Sequence, residues 1–340
     1  MLFGGSGAFP GHSYTGLRPM SRALSGRDLL SIADLGHDEI DLVLDLARRA
    51  KAGEDLGAPL RGRNLALIFQ RPSNRTRVSF EVAINRLGGH PIALFGDEIR
   101  LGERETAGDI ARILDRYADG VIARLVSQRD LVAIASAVRG PVISAMTDVE
   151  HPCQVLADLL TVLDTTGRVT GARVAYIGDG NNVCTSWLYA AAICGIDLRV
   201  VAPPGYEPRE SVLDRAAALR GTGTGFSVGH DPAPALRDAE IVYTDVWTSM
   251  GQEAEQQRRR EDFGHLQVND SLLKLAPAGV RVMHCLPAHR GEEITDSVLD
   301  GPRSVVFDQA ENRLWTQMAL LALLFEGVPH RVPGLAMVPA

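Results

Sequence analysis

Leu65-Ala66-Leu67-Ile68-Phe69-Gln70-Arg71-Pro72-Ser73-Asn74-Arg75-Thr76-Arg77 runs from five apolar residues into a polar cluster. A short, continuous apolar run bounded by turn residues reads as a strand buried on both faces. Ser73 is a good helix N-cap, and the residues after it carry a helical pattern that Gly88-Gly89 closes. The unit is therefore strand, loop, helix, and its loop holds two hydroxyls and two guanidiniums between Ser73 and Arg77. Backbone N–H groups at a helix start, with the helix dipole behind them, favour an anion. Arginine adds planar, bidentate capture of phosphate or carboxylate.

The same alternation recurs on both sides. Strands are expected at Leu65–Phe69, Ile92–Leu94, Val121–Ala123 and Val142–Ser144, and in a second series at Arg173–Ile177, Leu198–Ala202, Ile241–Thr244, Val280–His284 and Val305–Phe307. Helices are expected at 38–51, 75–87, 106–118, 128–138 and 152–165, with a last one near 313–325 that crosses back to the first series. Glu253–Asp262 reads as an exposed, mobile loop. Two such series predict an α/β protein of two doubly wound parallel-sheet domains with an interdomain cleft. The divisions expected are 28–150 and 151–312, with a terminal helix over 313–330 packing on the first and residues 1–27 as a disordered extension. Those 27 residues hold six glycines and no acid.

Bulk properties narrow the function classes. A chain of 340 residues suits two cores, and 45% hydrophobic with 23% charged residues is ordinary for a globular protein. The formal net charge of −7 argues against non-specific nucleic-acid binding. Lys51 and Lys274 are the only lysines, so 33 of the 35 basic residues are arginine and Schiff-base chemistry has little support. Four cysteines without paired spacing predict a reduced, cytoplasmic setting, and no apolar run is long enough to span a membrane. No histidine or cysteine pair has zinc-ligand spacing, so no metal is expected. Gly178-Asp179-Gly180 follows a strand, but Val183 stands where a dinucleotide fingerprint needs its third glycine, and no cofactor is predicted. Asn181 and Asn182 in that turn suit a small carboxylate.

In open α/β sheets, ligands sit beyond the carboxyl ends of the strands. The residues following these strands are Arg71–Arg77, Arg124, the stretch to His151 and Gln154, Gly178–Asn182, Asp245–Gly251, His284-Cys285 and Asp308–Arg313. Phe69–Glu81, His151–Asp158, Gly178–Asn182, Asp245–Gly251, His284-Cys285-Leu286-Pro287 and Glu311-Asn312-Arg313, taken in order, resemble the aspartate/ornithine carbamoyltransferase family, on the ornithine side of it. The resemblance extends from Asp28 to Phe325.

It implies that Ser73, Asn74, Arg75 and Thr76 hold the phosphate of carbamoyl phosphate. Arg124, His151, Gln154 and Arg313 would contact the carbamoyl end, with Cys285 and Leu286 opposite and the Leu286–Pro287 bond cis. Asn182, Asp245, Ser249 and Met250 would hold L-ornithine. Cys285, Arg124 and His151 would be catalytic, with Cys285 able to act as a thiolate that takes the proton of the amine. Arg100 departs from the family pattern, which has a glutamine or lysine in that loop; it is placed near the phosphate pocket. The resemblance also implies a homotrimer with shared sites and no organic cofactor. Rival readings are a carbamoyltransferase for putrescine or N-acetylornithine, and an inactive homologue serving as a scaffold or regulatory subunit.

Overall fold

Nine strands among the described residues form two all-parallel sheets. The computed structural model describes residues 24–221, 225–249 and 251–328. In the first sheet β1 (Asn64–Phe69), β2 (His90–Phe95), β3 (Gly120–Arg124) and β4 (Val142–Met146) run in the order β2-β1-β3-β4. In the second, β5 (Arg173–Ile177), β6 (Asp197–Val201), β7 (Phe226–Gly229), β8 (Ile241–Thr244) and β9 (Arg281–His284) run in the order β7-β6-β5-β8-β9. The strand order reverses between β1 and β3, and again between β5 and β8. A crevice opens at each reversal. The expected fold class is borne out, and the polar loops after β1, β3, β5 and β8 all start at these two switch points.

The longer helices are α1 (His37–Lys51), α2 (Asn74–Arg86), α3 (Ala107–Tyr117), α4 (Gln128–Ala135), α5 (Pro152–Thr166), α6 (Asn182–Cys194), α7 (Glu210–Leu219), α8 (Gln256–Phe263) and α9 (Val306–Phe325). α9 packs on α1, α2 and α5 and so returns the end of the chain to the first sheet. Leu320, Leu321, Leu324 and Phe325 on it are all buried. Each such side chain contributes about 1.5–3 kcal/mol of burial.

Three expectations need correction. Val305–Phe307 is not a strand: Ser304 makes one isolated bridge to Val282, and Val306 already opens α9. Three β-branched or aromatic residues are too few for periodicity to separate a strand from a helix start. Glu253–Asp262 is not a loop: a 3₁₀ turn at Glu253–Glu255 leads into α8, which buries Arg259 and Phe263. The packed chain also begins before residue 28. Leu24 is fully buried, and Gly26 N–H donates to Leu324 O at 2.8 Å. Residues 1–23 and 329–330 of the expected termini lie outside the described residues.

Candidate active site

Ser73 does cap α2: its backbone is extended and its hydroxyl accepts from Thr76 N–H at 3.4 Å. Arg75 follows in the first turn and is half-buried. Its guanidinium pKa is lowered by burial, opposed by the nearby Cys285 sulfur. Thr76 is fully buried and its Oγ1 accepts from Arg313 Nη2 at 2.6 Å, so α9 delivers its arginine to the start of α2. Arg124 ends β3 and is 9% exposed. Burial, then Arg313 and Arg75, push it down to about 10. No carboxylate among the described residues lies within ion-pair distance of Arg75, Arg124 or Arg313. Two buried guanidiniums and a half-buried one, drawn together without a counter-charge, favour an anion among them.

His151 stands against this group. Burial and then Arg313, Arg124 and Arg75 drive its pKa well below the ordinary value, so the imidazole is neutral. Its backbone N–H donates to Ser186 Oγ at 2.9 Å and Pro152 opens α5 behind it. Gln154 Nε2 donates to Asp158 Oδ1 at 2.8 Å, which fixes the amide and leaves Oε1 as an acceptor. Burial raises Asp158 to about 7. Buried polar atoms without a partner here include Arg124 Nε, His151 Nδ1, Gln154 Oε1, Asp158 Oδ2 and Arg313 Nε. Buried polar atoms are normally satisfied. Guanidinium donors left over at a strand-end crevice, with the Gln154 acceptor beside them, suit a small polar anion.

The second sheet supplies the other wall. Asp245 follows β8 and is 5% exposed. Its Oδ2 accepts from Asn181 Nδ2 at 2.8 Å, and its Oδ1 from Cys285 Sγ at 2.9 Å and Val246 N–H at 2.8 Å. Cys285 therefore acts as a thiol donor. Burial, then Asp245, lifts its pKa well above the thiol value. This corrects the expectation of a thiolate base: burial and the neighbouring carboxylate outweigh Arg313. Leu286–Pro287 is cis as expected, and Leu286 has a φ of +55°.

Asn181 is also reassigned. Its Oδ1 accepts from Val183 and Cys184 N–H as the cap of α6, and one hydrogen of its Nδ2 goes to Asp245, so the side chain orients the cap and the carboxylate. Asn182 donates to Thr147 O at 2.7 Å, joining the second sheet to the turn before His151. Ser249 is partly exposed, its N–H on Gln252 Oε1. Met250 lies outside the described residues. Arg100 is exposed, in the left-handed region at the end of a short turn (Gly96–Ile99). It is not among the charges acting on Arg75, Arg124 or His151.

Asp245, His284 and Cys285 place ligand atoms within 4.8 Å of one another. They do not suit a metal. His284 Nδ1 accepts from Leu286 N–H and Nε2 contacts Glu293, so neither ring nitrogen offers a lone pair.

Sequence reading missed Arg259. It is 6% exposed and donates to Asp179 Oδ2 at 3.0 Å, Trp247 O at 2.8 Å and Glu255 Oε2 at 2.9 Å. It also lies over the Tyr206 ring. One guanidinium thus ties the loops after β5, β6 and β8 together. Its only sequence signal was a basic residue amid polar ones, which looks solvated. Gly180 allows the β5 loop its place: a Cβ there would meet Pro208 N at 2.3 Å.

Glu150, just before His151, is another buried carboxyl, 3% exposed. Burial raises it to about 7 while Ile32 N–H and Ser186 Oγ bond to it. A carboxyl raised above its unfolded value binds protons better when folded. Its contribution to stability is complete below the unfolded value and is lost as pH rises through about 7. Glu150→Gln should therefore gain stability relative to the parent by about 1–3 kcal/mol more at pH 8 than at pH 5. Urea midpoints at the two pH values measure this, and an equal difference at both would contradict it.

The family profile described as aspartate/ornithine carbamoyltransferase, carbamoyl-P binding domain, matches residues 27–164. The profile for the Asp/Orn binding domain matches residues 170–324. The chain is 48% identical over 310 residues to the ornithine carbamoyltransferase of Pyrococcus horikoshii, covering 90% of this chain and 98% of the relative. It is 47% identical to the one of Pyrococcus furiosus named anabolic, with the same coverage. The solved Pyrococcus furiosus structure superposes with a TM-score of 0.85 at 47% identity, covering 90% of this chain and 99% of that one. No helix among the described residues is long and apolar enough to cross a membrane.

Proposed function

We infer the reaction from one premise: this chain belongs to the aspartate/ornithine carbamoyltransferase family. It transfers the carbamoyl group of carbamoyl phosphate to the δ-amine of L-ornithine, giving L-citrulline and phosphate. The observation that carries this reading is the trio of buried Arg124, buried Arg313 and half-buried Arg75, with no carboxylate in ion-pair distance among the described residues and with Cys285 and its partner Asp245 close by.

In this scheme residues 28–150, with the returning stretch 313–325 of α9, bind carbamoyl phosphate and residues 151–312 bind ornithine. Ser73, Asn74, Arg75 and Thr76 take the phosphate. Arg124, Arg313 and neutral His151 donate to the carbamoyl oxygen, while Gln154 Oε1 accepts from the carbamoyl NH₂. Asp245 takes the α-ammonium of ornithine, Asn182 and Ser249 its carboxylate, and Met250 flanks its chain. The neutral δ-amine attacks the carbonyl carbon, a C–N bond forms, and the negative charge gathers on an oxygen already facing cationic donors. Each such donor is worth about 3–4 kcal/mol in comparable sites. Collapse breaks the C–O bond to phosphate. The proton leaves the amine for the departing phosphate, whose basicity rises as that bond breaks, because the Cys285 thiol is already protonated.

The scheme balances with no organic cofactor. By the same family reading the assembly is a homotrimer in the cytoplasm, serving arginine biosynthesis. Carbamoyl phosphate supplied with ornithine, putrescine or N-acetylornithine tests the amine. Ornithine should lead in kcat/KM by at least about 100-fold, because only it satisfies both Asp245 and the carboxylate contacts. Preference for putrescine would overturn the assignment, and no product from any amine would favour an inactive homologue.

Arg259 gives a separate prediction. Arg259→Gln should raise the KM for ornithine about 10-fold or more and leave that for carbamoyl phosphate within about 3-fold, since it frees the loops on the amino-acid wall only. Parallel changes in both constants would contradict this.

A further inference from the structure

The Cys285–Leu286 turn leans on a buried pair that the reaction scheme does not use. His284, the last residue of β9, is 1% exposed, and Glu293 is 0% exposed. His284 Nδ1 accepts from Leu286 N–H at 2.8 Å, and Nε2 lies 3.0 Å from Glu293 Oε1. A ring nitrogen that accepts carries no proton, so the proton sits on Nε2 and is donated to Glu293. Glu293 Oε1 also accepts from His289 N–H at 2.6 Å, whereas its Oε2 has no partner. A carboxyl buried with one oxygen unsatisfied is costly to keep.

What the pair holds is a strained residue. Leu286 has a φ of +55°, a region that residues with a Cβ rarely enter. Its N–H is tied back to the imidazole two residues earlier, much as an aspartate or asparagine closes a turn on its own backbone. Were the proton on Nδ1, that nitrogen would face Leu286 N–H donor to donor and the turn would open. The backbone N–H of His284 is itself held by Gln309 Oε1 at 2.9 Å and its ring by Glu293, so the end of β9 is anchored apart from the turn.

We propose that Glu293 and His284 are positioning residues: Glu293 selects the imidazole tautomer that holds Leu286 in its left-handed conformation, and this aims Cys285 and Leu286 at the carbamoyl group. The inference rests on reading those two residues as carbamoyl contacts.

Two substitutions at His284 separate positioning from packing. His284→Asn keeps an acceptor near the place of Nδ1 and loses the link to Glu293. His284→Gln keeps a donor for Glu293 and loses the acceptor for Leu286. Glutamine matches histidine more closely in volume, so a merely structural role would favour it. We expect His284→Asn to retain kcat within about 5-fold. His284→Gln should lose about 100-fold, the upper end of what an orphaned buried donor costs. Affinity for inorganic phosphate and the KM for ornithine should stay within about 3-fold in both, since neither the arginine cradle nor Asp245 is altered. Equal losses, or the reverse order, overturn the proposal.

If either variant fails to fold, Glu293→Gln against Glu293→Ala carries the same comparison. Glu293→Gln retains the acceptor and should stay near the parent kcat, while Glu293→Ala falls about 10-fold. Indistinguishable values overturn the proposal equally. Parent protein that makes no citrulline would sink the assigned reaction instead, so the two failures are told apart.

Discussion

Arg75→Ala is expected to lower kcat/KM by about 1,000-fold or more, chiefly through lost affinity for carbamoyl phosphate. The guanidinium sits in the first turn of α2, beside the Thr76 N–H that the Ser73 hydroxyl caps and within electrostatic reach of Arg124, His151 and Cys285. Its removal takes away one of three positive charges that no carboxylate offsets. The protein itself should fold and gain a little stability, because Arg124, which burial and then Arg313 and Arg75 push down to about 10, loses one like charge beside it. Binding of inorganic phosphate by calorimetry and thermal unfolding together check this. Unchanged phosphate affinity would place the anion elsewhere, and a large loss of stability would make Arg75 a structural residue.

Asp245→Asn should raise the KM for ornithine by about 100-fold, with the KM for carbamoyl phosphate within about 3-fold of the parent. The aspartate is already oriented by Asn181 Nδ2 and Val246 N–H, so it is ready to receive an ammonium without rearranging. An amide keeps the shape and loses the charge. It also changes Cys285, whose thiol now donates to Oδ1 at 2.9 Å and is held protonated in part by that carboxylate. In Asp245→Asn the thiol pKa should fall toward its ordinary value, and the cysteine should react faster with an alkylating probe at pH 8. Steady-state kinetics against each substrate and the alkylation rate are independent readings. An unchanged ornithine KM would remove Asp245 from the amino-acid site.

The architecture was legible because the strands speak for themselves. Leu65–Phe69 and Val174–Ile177 are short, continuous apolar runs, which is what a strand covered on both faces must be. The same logic failed at Val305–Phe307, which are the cap and first two residues of a 20-residue helix. The arginines, His151, Asp245 and Cys285 were legible because strand ends are where this class of fold keeps its chemistry. What composition could not convey was partnership. Whether Cys285 is thiol or thiolate depends on Asp245 lying 2.9 Å away across 40 positions of sequence. Whether Asn181 binds ligand depends on the cap and the carboxylate that already occupy it. Arg259 and Glu293 look like solvated charges in the chain and become buried struts only once three loops converge.

The central claim is that an arginine cradle on one sheet and an ammonium clamp on the other close on a single small molecule. A crystal structure with a bisubstrate analogue that joins a phosphonate to ornithine tests it most directly. The predicted result has the phosphonate on Arg75 and the N–H groups after Ser73, the α-ammonium on Asp245, and the Arg75 guanidinium within about 10 Å of Cys285 Sγ. An analogue held by one sheet alone, or those two groups standing farther apart around it, would contradict the account.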